Sequence, residues 1–563
     1  MLWPETLDYR LYPLSSPGSR LGLSYGGRRV GWAWAGAFCN HFATPIVAPF
    51  ARIEGAHPPR LTCEPGSCTM TSQALRVQFL FTGENTLRIT LDAPTGTRCH
   101  FGAIELAPVS PTEVLCRSKA GWAIALCTAN HPFAFGHSGI TLTTSEPREQ
   151  IGVGLADEPG AALSRARSAL ALSDAQAENA TRAPWEAIFR RVPDLTEADP
   201  ALRRLYAECW WTLYNNLVSP RGRLTRRAVY PDRVHHNAVW LWDACFHAVA
   251  LREADPELAR DQLRILLSNQ QPDGLVPDVV RDDSLYAEHT KPPLIAWAAW
   301  KIHQTEPSAE FLAEIYPGLC GLDAWWMQCR DPNRNGLPGY EHPFSAGIDD
   351  CPAFDQLDLS RRDAELEGPD LAAYLYGARL ALAKIARALG KKSDAAHWEA
   401  QSVQLAQRAL ALYDEHDDFF YAHMDNRPVR VLIPQWLLAA RLLPRDRARR
   451  LLERWLVERR CFEDQFLLST VALDEPSYDP MRWRGGVWLN INLLVAETAA
   501  WAGLNEVADH IARRSLELVA SRPGVWEHYD ASSGEPGGPP SFGMTAAACV
   551  EFALGRHRTP TAP

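Results

Sequence analysis

The sequence predicts a multidomain chain. An N-terminal antiparallel β-sandwich over residues 1–183, ending in a helical linker, is followed by an all-α (α/α)6 toroid over residues 184–563. Three observations predict this. Up to about Thr181, short segments rich in β-branched and aromatic residues alternate in period two between clusters of Gly, Pro, Asn and Asp. From Ala161 to Ala180 the composition turns to Ala, Ser and Glu. Beyond Pro184 apolar residues recur at i, i+3, i+4 and i+7 and keep doing so to the end of the chain.

The strand segments come first: "LRVQFLFTG" from Leu75, "TLRITLDAP" from Thr86 and "GITLTTSE" from Gly139 are examples. Their partial alternation suits two facing antiparallel sheets. Twelve helices are expected after Pro184, beginning near Asp199, Trp240, Asp255, Thr290, Ser308, Pro369, Ser393, Leu432, Pro444, Gly485, Asn505 and Pro540, each with a cap residue, Pro or Gly near an end. Twelve in pairs is what a double ring of helices requires. "WLWDACFHAVAL" and "GGVWLNINLLVAETAA" are apolar nearly all round and read as inner helices, whereas "DAAHWEAQSVQLAQRALALY" is amphipathic and reads as outer. No short repeat stands out, so a binding solenoid is the weaker alternative.

With 563 residues, two cores are expected, and 46% hydrophobic with 22% charged residues is an ordinary globular composition. A formal net charge of -10 and the lack of a basic stripe argue against nucleic acid as a partner. The start, Met1 to Arg20, carries Glu5, Asp8 and three prolines where an export signal needs a basic end and an apolar run. Apolar stretches are cut by charge well short of the roughly 20 residues of a membrane helix, so a soluble protein with no membrane partner is expected. The thirteen cysteines are scattered between Cys39 and Cys549, with Cys63 and Cys68 the only close pair; they read as reduced thiols and point to a cytoplasmic location. Twenty tryptophans are unusual: Trp rings stack on sugar faces, although most Trp in any protein are core. The oligomeric state is not legible.

Three segments carry chemistry. "YEHPFSAGIDDCPAFD", from Tyr340 to Asp355, cannot be helix interior and presents Asp349 and Asp350 together, either as a general acid or as a turn-capping pair. "GVWEHYDASSGEPGG", from Gly524, sets Glu527 among Trp526 and Tyr529, where partial desolvation would raise a carboxyl toward acid/base duty, or where a structural ion pair would hold it. "WLWDACFH" with Trp240, Trp242 and Asp243, and "RWRGGVWLNIN" with Trp483, Arg484, Trp488, Asn490 and Asn492, form a sugar cradle or a core Trp cluster. "DPNRNG" imitates the first half of a calcium loop through Asp331, Asn333 and Asn335, but His342 stands at the twelfth position where a bidentate Glu is needed; a turn is the simpler reading and no metal is assigned. His235 and His236 lack partners at zinc-site spacing.

Seven blocks in this order resemble glycoside hydrolase family 63, the group of α-glucosidases and mannosylglycerate or glucosylglycerate hydrolases. They span roughly Leu202 to Leu554 and include the segments above together with "DPELARDQLRILLSNQQPDGLVP", "TKPPLIAWA" and "SFGMTAAA". The resemblance implies Asp349 as general acid and Glu527 as general base. It also implies a sugar site formed by Asp243 and Arg484, with Trp240, Trp242, Gln270, His342 and Trp488 beside them. It further implies an inverting hydrolase of a small α-linked glucoside, a disaccharide or glucosyl-glycerate type, with no cofactor; an α-mannoside of the mannosylglycerate type is the nearest alternative. One departure stands out: many members have Glu-Ser before the Gly of the acid loop, where this chain has Ser345 and Ala346. Two other classes stay open. A sugar epimerase on the same barrel would draw on His235, His236, His247, His289, His342 or His528, and a non-catalytic carbohydrate-binding protein would explain the Ser345 and Ala346 departure.

Overall fold

The computed structural model describes residues 14–25, 32–39, 47–54, 60–72, 75–101, 106–117, 121–136, 139–195, 198–233, 235–361 and 365–558. The segment searched for an export signal therefore falls largely outside the described residues. The chain divides into two compact units. The first comprises Met1–Asp194, Trp210–Ser219 and Asp232–Asn237; the second comprises Leu195–Cys209, Pro220–Pro231 and Ala238–Pro563.

The first unit is sheet-rich, and every described pairing within its two large sheets is antiparallel. One sheet has seven strands, in the order Leu14–Ser15, Leu21–Tyr25, Trp32–Cys39, Val47–Glu54, Arg98–Phe101, Gly139–Thr143 and Ala134–Gly136. The other has eight, in the order Leu106–Ser110, Glu113–Arg117, Ala123–Thr128, Arg148–Ala156, Thr86–Asp92, Leu75–Gly83, Ser67–Ser72 and Arg60–Glu64. All three quoted strand segments are strands. Cys63 and Cys68 face each other across the last hairpin, and the described cysteines are free and mostly buried.

The stretch expected to be a linker is instead part of this unit's core. It forms two helices, Pro159–Ala171 and Asp174–Phe189, the second opened by a capping box between Ser173 and Gln176 and containing Pro184, so the expected boundary falls inside a helix. Ala162 and Ala166 pack on Ala123, Ala125, Cys127 and Ala156 of the eight-stranded sheet. A Cβ on Gly152 or Gly154 would overlap the carbonyl oxygens of Ala166 or Ala162, so small residues on both surfaces bring helix and sheet into contact.

The second unit is helical, and all twelve expected segments are present. One of them, Pro434–Leu442, is a 3-10 helix. Leu241–Leu251, Leu489–Trp501 and Gly543–Ala553 are buried at all but one position each, and Ile295–Thr305, Pro369–Ala388 and Pro434–Leu442 are buried over most of their surface. Between them run Pro256–Ser268, Ala309–Cys329, Lys392–Ala409, Arg445–Glu453 and Asn505–Ala520, each buried along one face. Buried and amphipathic helices thus alternate along the chain.

Four buried segments are joined by charge near their C-terminal ends. Lys301 donates to Glu497 Oε1 at 2.6 Å and lies 3.6 Å from Glu551 Oε2, while Arg252 donates to both Glu551 oxygens at 2.7 and 3.1 Å. All four side chains are buried. No described helix is long and apolar enough to cross a membrane.

Candidate active site

Every residue expected at the site falls in the second unit, and most lie where a loop enters the N-terminus of a buried helix. Trp240 caps Leu241–Leu251 and Trp488 caps Leu489–Trp501. Asp349 lies in the loops before Pro369–Ala388, and Glu527 in the hairpin before Gly543–Ala553. The cores of these helices are apolar, so polar chemistry collects in the loops at this end.

The loop carrying Asp349 is shaped by a one-turn helix, Pro343–Ala346. His342 caps it by accepting from Phe344 N at 3.1 Å, and Gly347 at φ 72° ends it. A Cβ on Gly347 would run into the six-membered ring of Trp242, so only glycine both turns left-handed here and lets the loop lie on that indole. The two adjacent aspartates are thereby given different tasks. Asp350 is committed: its Oδ1 accepts Trp483 N at 3.0 Å and its carbonyl accepts Arg484 Nη1 at 3.0 Å. Asp349 keeps a side chain that is 52% exposed and lies 3.8 Å from Lys291 Nζ. Gly347→Ala is expected to cost about 1–3 kcal/mol of stability and to lower activity with it, because Trp242 is buried and cannot yield. A thermal melt identical to that of the parent chain would contradict this.

Glu527 lies on strand Trp526–Tyr529, which pairs with Pro536–Pro540. Gly538, at φ 72°, faces its carboxylate; any Cβ there would overlap Oε2. The Glu527 side chain is 17% exposed, partly desolvated but reachable. Behind it His528 is buried, and burial pushes its imidazole down to about 4, so it is neutral at ordinary pH.

An aromatic column connects the two carboxylate loops. Trp242 stacks on Trp483 at 6.2 Å, Trp483 on Trp488 at 3.7 Å, and Trp488 on His528 at 5.0 Å, all within 13° of parallel. The first ring supports Gly347 and the last is the neighbour of Glu527. Val487 and Tyr529 also exchange backbone hydrogen bonds of 2.7 and 3.1 Å. Acid loop, 482–488 segment and base hairpin are therefore one connected structure.

Asp243 sits half-buried in the first turn of Leu241–Leu251, beside Trp242. Arg484 holds both oxygens of Asp355 at 2.8 and 2.7 Å, so its fork anchors the acid loop. Gln270 spends its amide nitrogen on the carbonyls of Gly274 and Gly318, at 2.8 and 2.9 Å, fastening a turn to helix Ala309–Cys329. The calcium-like segment is a turn: Asp331, Asn333 and Asn335 each accept a backbone N–H of their own loop, and both Asn side chains donate to Glu367. Among the described residues, a metal-sized cluster of Asp414, His416 and Asp417 occurs at the surface, with Arg430 already paired to both aspartates.

Of the histidines an epimerase would need, His235 is largely exposed and the others are buried or paired with neighbours. His236 pairs with Asp232 at 2.6 Å, in a segment grouped with the first unit. Burial pushes His247 down to about 3. His289 bonds Glu341 at 3.1 Å and stacks on His342, which burial and His289 together hold below its ordinary value. A cavity of about 630 Å³ lined by residues such as Leu202, Leu516, Phe552 and His557 contains none of the candidates.

Sequence reasoning misses Lys291 and Asp278. The first sits in "TKPPLIAWA", where its signal is a lysine in an otherwise apolar run. Asp278 is carried by a small three-stranded sheet, Val239–Trp240 with Val279–Val280 and Leu285–Tyr286, whose two-residue strands leave no periodic pattern.

Comparison with known proteins gives the class first: a chain with this fold and these loops is a glycosidase. Residues 236–545, more than half of the 563, match the mannosylglycerate hydrolase MGH1-like glycoside hydrolase domain, and the chain belongs to that family. The mannosylglycerate hydrolase MGH1 of Selaginella moellendorffii is 24% identical over 472 residues, which is 68% of this chain and 92% of that protein. The glucosylglycerate hydrolase of Mycolicibacterium hassiacum is 24% identical over 409 residues, 56% of this chain and 91% of its own. The GH63 mannosylglycerate hydrolase from Thermus thermophilus, solved in complex with Tris, superposes with a TM-score of 0.55 at 24% identity, covering 62% of this chain and 99% of that one. That likeness speaks for the fold, and the family 63 resemblance read from the sequence holds.

Proposed function

We propose that the chain hydrolyses a small α-linked glucoside, a disaccharide or a glucosyl-glycerate type, with inversion at the anomeric carbon. Asp349 is the general acid and Glu527 the general base. The observation that carries the reading is the aromatic column joining their two loops, because single displacement needs an acid and a base held at a fixed separation across one ring. Protonated Asp349 gives its proton to the leaving oxygen as the glycosidic bond breaks. Glu527 takes a proton from a water attacking the opposite face, a geometry for which inverting glycosidases in general hold their two carboxyls roughly 6.5–9.5 Å apart. Trp240 offers a ring face and Asp243 a carboxylate for the sugar, with buried Trp242 as the support beneath the acid loop. The reaction as written uses no cofactor. The alternation of six buried with amphipathic helices supports an (α/α)6 toroid, and the free thiols support a cytoplasmic location.

A second reading, an α-mannoside of glycerate, is favoured by the names of the family and of its Selaginella relative. One panel tests both: α-linked disaccharides, glucosylglycerate and mannosylglycerate, with the released anomer followed by proton NMR. Release of the β-anomer from one of them is expected and names the sugar. Initial release of the α-anomer would overturn inversion, and no turnover of any would overturn the hydrolase assignment for this substrate class.

A further inference from the structure

Lys291 stands at the centre of the acid loop's electrostatics. Its side chain is 8% exposed; the ammonium donates to the Phe344 carbonyl at 2.5 Å and lies 3.5 Å from Asp278 Oδ2 and 3.8 Å from Asp349 Oδ1. Asp278 is buried at the base of the Val279–Tyr286 hairpin, with its backbone N–H on His289 O and its carbonyl on Leu241 N, so it cannot retreat. A cation beside a general acid works against it, because the cation favours the carboxylate and strips the proton the acid has to give. A second carboxylate beside that cation offsets its field.

We infer that Lys291 and Asp278 are positioning residues that set the protonation of Asp349, Lys291 as its counter-charge and Asp278 as the counterweight to Lys291. The inference rests on Asp349 being the acid. Before proton transfer the Lys291 charge is largely spent on Asp278. Once Asp349 has given its proton to the leaving oxygen, the new carboxylate shares that charge, which stabilises the late transition state. Burial, opposed by Lys291, lifts Asp278 to about 6, with Asp349 adding to the rise, so the two carboxyls feel one another across the ammonium.

Among the described residues, the other charged groups of the loop have neighbours of their own. From the 278–291 segment, His289 faces Glu341. From the acid loop itself come Glu341, His342 and Asp350. Burial raises the Glu341 carboxyl, but His289 and Arg330 outweigh it and hold it below its ordinary range. From the 482–488 segment, Arg484 is bound to Asp355 and the Asp350 carbonyl.

The test is the pH profile of kcat/KM on the substrate the panel selects, whose alkaline limb reports the acid in the free enzyme. Lys291→Met removes the cation and is expected to move that limb up by about one pH unit; Asp278→Asn removes the counterweight and is expected to move it down by a similar amount. Lys291→Arg keeps the charge and is expected to restore the limb. A merely structural role would lower kcat without moving the limb, and unmoved limbs, or movement in the same direction, would overturn the inference. Asp278→Asn alone still decides should Lys291→Met not fold. Asp349→Asn is run in parallel: undiminished turnover would show that the assigned acid is wrong, whereas loss of turnover with unmoved limbs rejects Lys291 and Asp278 only.

Discussion

Asp349→Asn is expected to lower kcat/KM on the preferred glycoside by about 10²–10⁴-fold, and Glu527→Gln by a comparable factor. The amide keeps the shape of the carboxyl but can neither donate the proton the leaving oxygen needs nor accept one from water. Folding should be untouched by the first change, because the Asp349 side chain is half in solvent. Asp350→Asn is the control. Its Oδ1 accepts the Trp483 N–H, and the amide oxygen of Asn accepts as well, so its activity should stay within a few-fold of the parent. Steady-state kinetics on the three variants settles the roles. Equal losses at Asp349 and Asp350 would mean that the loop's integrity, and not a proton donor, is what was removed.

The largest stability effect is expected far from that loop. Glu551→Ala should destabilise the helical unit by about 3–5 kcal/mol, enough to lower its transition by on the order of 10 °C. Glu551 is fully buried and answers two cations, Arg252 in bidentate fashion and Lys301 at 3.6 Å. Without it those charges stay in a dry interior with only part of their compensation. Asp446→Ala, which removes a solvent-exposed partner of Arg450, should leave the transition where it is in the parent chain. Chemical denaturation compares the two, and equal, small effects would show that the buried network is hydrated or replaceable.

The fold is largely legible because its elements are long and periodic. Apolar stripes and caps place the twelve helices, and even inner and outer character follows from whether a polar face is present, as Leu489–Trp501 and Lys392–Ala409 show. The 3-10 geometry of Pro434–Leu442 is not legible, since its apolar pattern is the same as that of an α-helix. The linker reading fails because Ala-rich composition describes a helix that packs closely on glycines as well as one that packs on nothing; Gly152 and Gly154, in a strand outside it, decide between them. At the site, aromatic and carboxylate residues in loops are recognisable by type. Their division of labour is not: that Asp350 is tied down depends on Trp483, 133 residues beyond it in the chain. Ser345 shows the same limit. It donates to Glu341 at 2.8 Å, so a carboxylate does stand beside the position where many family members carry one, contributed from four residues earlier in the chain.

The path of the chain between its two units bears on how such a protein can be inherited. After Asp194 the backbone enters the second unit, returns to the first for 210–219 and again for 232–237, and leaves it for the last time at Asn237, one residue after the family match begins. Helix Pro200–Asn215 belongs to both. A single crossover in the gene between residues 194 and 238 therefore either splits one unit or carries residues of the other with it.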